Sequence, residues 1–173
     1  MMKNMFTKVI ILMVMLGAFF TSCLKKDSKC GSANIEITAT SSEKDALKAY
    51  LQSASIPFNE DSHGFFYKIV TPGSGAIIAN LCSTVSVNYV GKLQSGTTFD
   101  QSSSGTPASF TLGSLIYGWQ KGLPYIAKGG RILLYIPPSL GYGPNPVKDP
   151  TTGATVIPAN SNLFFDITLV DVQ

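Results

Sequence analysis

Histidine is almost missing from this 173-residue chain: His63 is the only one. Tryptophan is as scarce, with Trp119 alone, and the three cysteines stand at positions 23, 30 and 82. Charged residues make up only 13% of the sequence. Each shortage removes a class of chemistry. A serine or cysteine hydrolase needs a base beside its nucleophile, and His63 precedes the first predicted strand without an evident partner, as a solvated loop residue would. No C-x-x-C pair offers a zinc or redox site. The acids Asp100, Asp149, Asp166 and Asp171 are scattered, unlike a glycosidase pair or a calcium cage. Gly73-Ser74-Gly75 and Gly129-Gly130 lack the context of a phosphate loop, and there is no G-x-S-x-G elbow. No metal and no cofactor are expected.

A long apolar run is missing too. Val9 to Phe20 gives twelve uncharged residues, whereas a bilayer-spanning helix needs about 20. Lys3 and Lys8 precede this run, and Ser22 and Cys23 follow it, the layout of a secretory leader over residues 1–22. Phe20-Thr21-Ser22-Cys23 resembles a bacterial lipobox, with Phe20 where leucine is usual. That resemblance implies lipidation at Cys23, a lipid-anchored tether over 23–41, and an exported protein held in the bacterial cell envelope. Each buried acyl CH₂ adds about 0.8 kcal/mol of membrane affinity. Cys30 falls in the tether and Cys82 at a strand edge, and nothing in the sequence brings their Cα atoms within the ~7 Å of a bridge. In an oxidising compartment the two could pair, though two free thiols are the expectation.

What remains suits one domain. Losing Lys3 and Lys8 with the leader lowers the formal net charge from +3 to +1, which leaves no basic face for nucleic acid. Ser42 and Asp45 are placed to cap a short helix. Ala46, Leu47, Tyr50 and Leu51 follow as its apolar stripe, and Pro57 ends it. These residues form an N-terminal helical extension over 42–63. Beyond it the period changes to two. Strands are expected at Phe65–Val70, Val85–Leu93, Thr98–Asp100, Ala108–Leu112, Arg131–Ile136 and Asn162–Val172, with one short helix between Leu115 and Leu123. The loop Ser139–Asn160 exceeds the usual 12–15 residues, a length that is commonly functional. The fold class is α+β: an antiparallel sheet with one short helix to cover it.

The motifs then fall in a recognisable order. Val87-Asn88-Tyr89-Val90-Gly91, Gly96-Thr97-Thr98-Phe99-Asp100 and Leu112-Gly113-Ser114-Leu115-Ile116-Tyr117-Gly118-Trp119 come first. Gly129-Gly130-Arg131, Ile136-Pro137-Pro138, Gly141-Tyr142-Gly143, Ile157-Pro158-Ala159-Asn160 and Leu163-Phe164-Phe165-Asp166 follow. Over residues 64–173 this series resembles the FKBP family, the macrolide-binding class of peptidyl-prolyl cis–trans isomerases. The resemblance implies a five- to six-stranded antiparallel half-barrel wrapped around the short helix. It implies an active pocket with Trp119 as floor, Tyr89, Phe99 and Phe165 as walls, and Asp100 as polar edge. Leu115, Ile116, Val156 and Ile157 would line the substrate-binding rim, and the Tyr142 hydroxyl and the Ile157 N–H would hold peptide carbonyls.

Three features depart from the family pattern. Ala108 stands where many members carry a pocket phenylalanine, and Ser102-Ser103-Ser104-Gly105 lacks an arginine found near the acid in some members. Two residues are missing between Gly113 and Leu115, while Asn145 to Ala154 lengthens the loop over the pocket. Macrolide binding is therefore less expected than isomerisation of proline-containing polypeptides. The rival expectation is a non-catalytic peptide-binding chaperone module that uses the same pocket.

Overall fold

The computed structural model describes residues 36–173. The expected leader over 1–22, the expected lipidation at Cys23, Cys30 and the expected tether as far as residue 35 lie outside the described residues.

Helix α1 spans Ser41–Ser53, and its cap lies two residues before the expected one. Thr40, not Ser42, is the N-cap. Its hydroxyl accepts from the Glu43 N–H at 3.2 Å while the Glu43 carboxylate accepts from the Thr40 N–H at 3.1 Å. Only a side chain as long as glutamate reaches back in this reciprocal way, so Thr40-x-x-Glu43 prevails over Ser42 and Asp45. The Glu43 carboxylate also accepts from the Ser139 hydroxyl at 2.7 Å, tying the helix start to the loop that leads to Tyr142. Leu47 and Leu51 are fully buried against Phe66 and Tyr135. Burying each such side chain contributes about 1.5–3 kcal/mol, so α1 is seated on the sheet as a packed layer.

The sheet is antiparallel throughout. Its strands are β1 (Asn59–Glu60), β2 (Phe66–Thr71), β3 (Thr84–Leu93), β4 (Thr98–Gln101), β5 (Ala108–Thr111), β6 (Arg131–Ile136) and β9 (Leu163–Val172). The order is β1-β2-β6-β9-β3-β4, and β5 pairs with the first half of β3. Seven strands appear in place of five to six because the two-residue β1 is added and β4 and β5 divide one position beside β3. A small separate hairpin, β7 (Val147–Lys148) with β8 (Thr155–Ile157), gives structure to the long loop.

Alternation assigns the two faces. Leu163, Phe165, Ile167 and Leu169 of β9 point inward with Val85, Val87 and Tyr89 of β3 and Ile132, Leu134 and Ile136 of β6. The outward Phe66, Tyr135 and Phe164 meet α1. The inward face is covered by α2 (Tyr117–Gly122), preceded by a 3₁₀ turn at Leu112–Ser114. At its two glycines the backbone of this helix lies directly on the Ile136 and Leu134 side chains of β6. A Cβ at Gly118 would come within 2.7 Å of Ile136 Cδ1, and one at Gly122 within 2.7 Å of Leu134 Cδ2.

His63 is not the solvated residue expected. Its Nδ1 lies 2.7 Å from Asp61 Oδ1 and its Nε2 2.8 Å from Glu36 Oε2. Glu36 also accepts from Lys121 Nζ at 3.0 Å and the Tyr117 hydroxyl at 3.0 Å, both on α2. Buried Asp61 accepts from the Tyr125 hydroxyl at 2.6 Å. The start of the described chain is thus strapped across the pocket helix. A second correction concerns Cys82, which is disulfide-bonded rather than a free thiol. An exported setting allows such a bridge, but whether a given thiol finds a partner depends on tertiary proximity, which spacing does not encode.

Two outcomes follow from these contacts. Gly118→Ala is expected to lose about 1–3 kcal/mol, the usual cost of overpacking, with denaturant unfolding as the measurement. For the strap, hydrogen bonds from Lys121, then His63 and Tyr117, hold the Glu36 carboxyl down at about 2, against an ordinary 4.5. A carboxyl lowered in the folded state stabilises above its unfolded value and ceases to do so as pH falls through the folded one. Glu36→Gln is therefore expected to melt below wild type at neutral pH. In thermal melts across pH, that gap should close between pH 4.5 and about 2.

Candidate active site

Trp119 forms the floor of a cavity of about 200 Å³ on the inner face. It sits third in α2, whose bare glycine side lets the indole reach the sheet, and it is only 4% exposed. Phe165 of β9 and Tyr89 of β3 stand edge-on to the indole, at centroid distances of 5.1 and 5.4 Å. Phe99 of β4 stands edge-on to Phe165 at 5.5 Å. These T-shaped contacts set ring edges against ring faces, the arrangement favoured by aromatic quadrupoles. The Trp119 Nε1–H has no hydrogen-bond partner, alone in this respect among buried side-chain N and O atoms of the described residues.

One side of the cavity is polar. The Tyr89 hydroxyl donates to Asp100 Oδ2 at 2.6 Å, and Asp100 Oδ1 accepts from the Gln101 N–H at 2.8 Å. Burial, reinforced by this bond to Asp100, pushes the Tyr89 phenol well above its ordinary value. Burial and the charge of Asp100 also raise Tyr142. Both phenols therefore stay protonated at neutral pH. Tyr142 is 43% exposed, and its hydroxyl has no hydrogen-bond partner among the described residues. It is a donor at the mouth.

The expected pocket residues Tyr89, Phe99, Asp100, Trp119, Tyr142, Phe165, Leu115 and Ile116 all line this one cavity. Val156 and Ile157 do not. They belong to β8 and pack into the core behind it, with Ile157 only 3% exposed. The free rim amide is instead that of Ile116, whose N–H has no hydrogen-bond partner among the described residues. Phe110 and Ser114 also line the cavity and escaped the sequence reading. Phe110 was within reach, since it shares a strand face with Ala108. A larger, open trough of about 470 Å³ lies on the opposite sheet face, crossed by the Arg131–Asp166 ion pair at 2.6 and 2.8 Å. Polar residues such as Asn88, Gln101 and Ser102 stand along it beside Val90.

Nothing in the cavity forms a nucleophile–base pair. What the arrangement offers is an aromatic enclosure, one carboxylate already hydrogen-bonded, and three unspent donors: the Tyr142 hydroxyl, the Ile116 N–H and the Trp119 Nε1–H.

Comparison with known proteins agrees with this geometry. The sequence profile described as FKBP-type peptidyl-prolyl cis-trans isomerase matches residues 75–170. The chain is 41% identical over 156 residues to FKBP-type peptidyl-prolyl cis-trans isomerase FkpA of Buchnera aphidicola subsp. Schizaphis graminum, covering 87% of this chain and 58% of the relative. Against the FkpA of Escherichia coli strain K12 the identity is 44%, covering 65% of this chain and 39% of the relative. The chain thus spans about half the length of these curated relatives. The crystal structure of Escherichia coli FkpA superposes with a TM-score of 0.63 at 38% identity, covering 76% of this chain and 60% of that one. A peptidyl-prolyl cis-trans isomerase from Pseudomonas syringae pv. tomato gives 0.63 at 29% identity, covering 79% and 97%. With the motif series, the half-barrel and the aromatic cavity in agreement, the chain belongs to the FKBP-type peptidyl-prolyl cis–trans isomerase family.

Proposed function

We propose that this chain catalyses cis–trans isomerisation of prolyl bonds in exported polypeptides, with residues 64–173 as the catalytic domain. The observation that carries it is the cavity over Trp119: six aromatic side chains and, at its mouth, the unspent donors of Tyr142 and Ile116.

Rotating an amide costs about 18–20 kcal/mol because resonance is lost as the bond twists. In the twisted form the nitrogen lone pair no longer feeds the carbonyl, whose oxygen is then less negative. An apolar wall therefore penalises the planar ground state more than the twisted one. Only such differential interactions raise the rate, tenfold for each ~1.4 kcal/mol. Trp119, Phe99 and Phe165 would take the prolyl ring. Tyr142 and the Ile116 N–H, rather than the Ile157 N–H, would hold the flanking carbonyls while it turns. Asp100 would act by fixing Tyr89 as a wall. Its volume of about 200 Å³ lies below the ~300–1,000 Å³ of drug-sized sites, which leaves macrolide capture outside this proposal.

The leader over 1–22, lipidation of Cys23 and the tether over 23–41 complete the reading: an enzyme anchored in the bacterial envelope. Labelled palmitate is expected to enter the expressed protein and to be lost in Cys23→Ser. A chain that retains its leader and takes up no label would overturn the anchor.

The activity is tested by cis-to-trans conversion of a short Xaa-Pro peptide. Acceleration by wild type is expected, with kcat/KM lowered about tenfold by Phe99→Ala. Tyr142→Phe should cost about fivefold, for a hydrogen bond worth ~1 kcal/mol. A flat assay from folded protein that still suppresses aggregation of a proline-free client would replace the enzyme by a binding-only module.

A further inference from the structure

Gln120 follows Trp119 on α2, with its side chain half-buried behind the rim. Its Nε2 donates to the Leu115 carbonyl at 2.7 Å and to the Gly113 carbonyl at 3.3 Å. A carboxamide has two N–H donors, so both are committed to the segment 113–116. The Gln120 backbone N–H also bonds the Ile116 carbonyl at 3.2 Å, an acceptor shared with the Trp119 N–H at 2.9 Å. The carbonyls of Gly113, Leu115 and Ile116 are thus all drawn toward α2.

The direction of one peptide plane follows. The Leu115–Ile116 bond is trans, like every peptide bond among the described residues. In a planar trans peptide the C=O and the N–H point opposite ways. Anchoring the Leu115 oxygen on Gln120 therefore turns the Ile116 N–H away from the helix. Leu115 (φ −88, ψ 168) and Ile116 (φ −59, ψ 150) are extended, so no helical turn fixes this plane. No other group in the described residues bonds the Leu115 carbonyl. Ser114, Leu115 and Ile116 all line the cavity.

We infer that Gln120 is a positioning residue, which aims the Ile116 N–H at the carbonyl beside the substrate proline. The inference rests on the isomerase reading and refines it, since it says what orients the donor. A merely structural glutamine would satisfy two carbonyls and leave catalysis alone.

The experiment compares wild type with Gln120→Leu, of similar bulk without donors, and Gln120→Glu, of the same shape with acceptors only. Because the donor grips a flanking carbonyl in planar and twisted states alike, its loss should appear in KM. A rise of about tenfold in KM with kcat little changed is expected in both. On titration with a short Xaa-Pro peptide, the Ile116 amide resonance should shift in wild type and barely respond in the variants. Leu51→Ala, on the other face of the sheet, lowers stability without touching the rim and should keep the wild-type KM. An unchanged KM and a responsive Ile116 amide in either folded variant overturn the inference. So does a wild-type Ile116 amide that ignores bound peptide, a result that needs no variant to fold. Wild type that binds the peptide but turns none over refutes the enzyme reading instead, and the Ile116 response still decides the role of Gln120.

Discussion

The contact between the backbone of α2 and strand β6 is the constraint on which the rest of the molecule depends. Six residues are too few for a helix to be stable alone, so α2 exists because it is pressed against the sheet. Gly118 and Gly122 permit that approach, with Ile136 and Leu134 occupying the space that their side chains would fill. The result is a helix close enough to the sheet for Trp119 to meet Phe165 and Tyr89 directly. A larger residue at either glycine would lift the floor away from its walls. The cavity is therefore a by-product of close packing, and its shape is as rigid as the core behind it.

The sheet separates two different tasks. Its inner face carries the aromatic cavity, and its outer face is covered in part by α1 through Leu47, Leu51, Phe66 and Tyr135. The N-terminal segment nevertheless reaches the inner side at two points. Glu36 bonds Lys121 and Tyr117 of α2, and Glu43 bonds Ser139, three residues before Tyr142. Both clasps use carboxylates whose pKa is lowered in the folded state, by Lys121 foremost for Glu36 and by bonds from Ser139 and Thr40 against the cost of burial for Glu43. The extension is thus wired to the pocket helix and to the loop of the mouth donor.

Local pattern was enough for much of this. Arg131–Ile136 and the alternation of Leu163, Phe165, Ile167 and Leu169 were legible because one sheet face is core and the period of two records it. Trp119, Tyr89, Phe99 and Phe165 were legible through motif order, and the fold does bring them together. What escaped depends on contacts distant in sequence. His63 gains Glu36 from 27 residues upstream, and Cys82 gains its bridge through space. The hairpin Val147–Lys148 with Thr155–Ile157 hid among proline and glycine, since its turn is built by the Asp149 side chain accepting from Thr151 and Thr152. The choice of Ile116 over Ile157 as the rim amide turns on which of the two tertiary structure sets at the cavity. No spacing rule encodes that.

Trp119 is the chain's single tryptophan, and it is also the floor of the cavity. Its indole emission therefore arises from one place, among edge-on rings and with an unpartnered Nε1–H. Any guest that enters must displace water from above that ring and alter its surroundings. The protein is in this sense self-labelled: light absorbed by its sole indole reports whether the cavity is wet or filled, with no added probe.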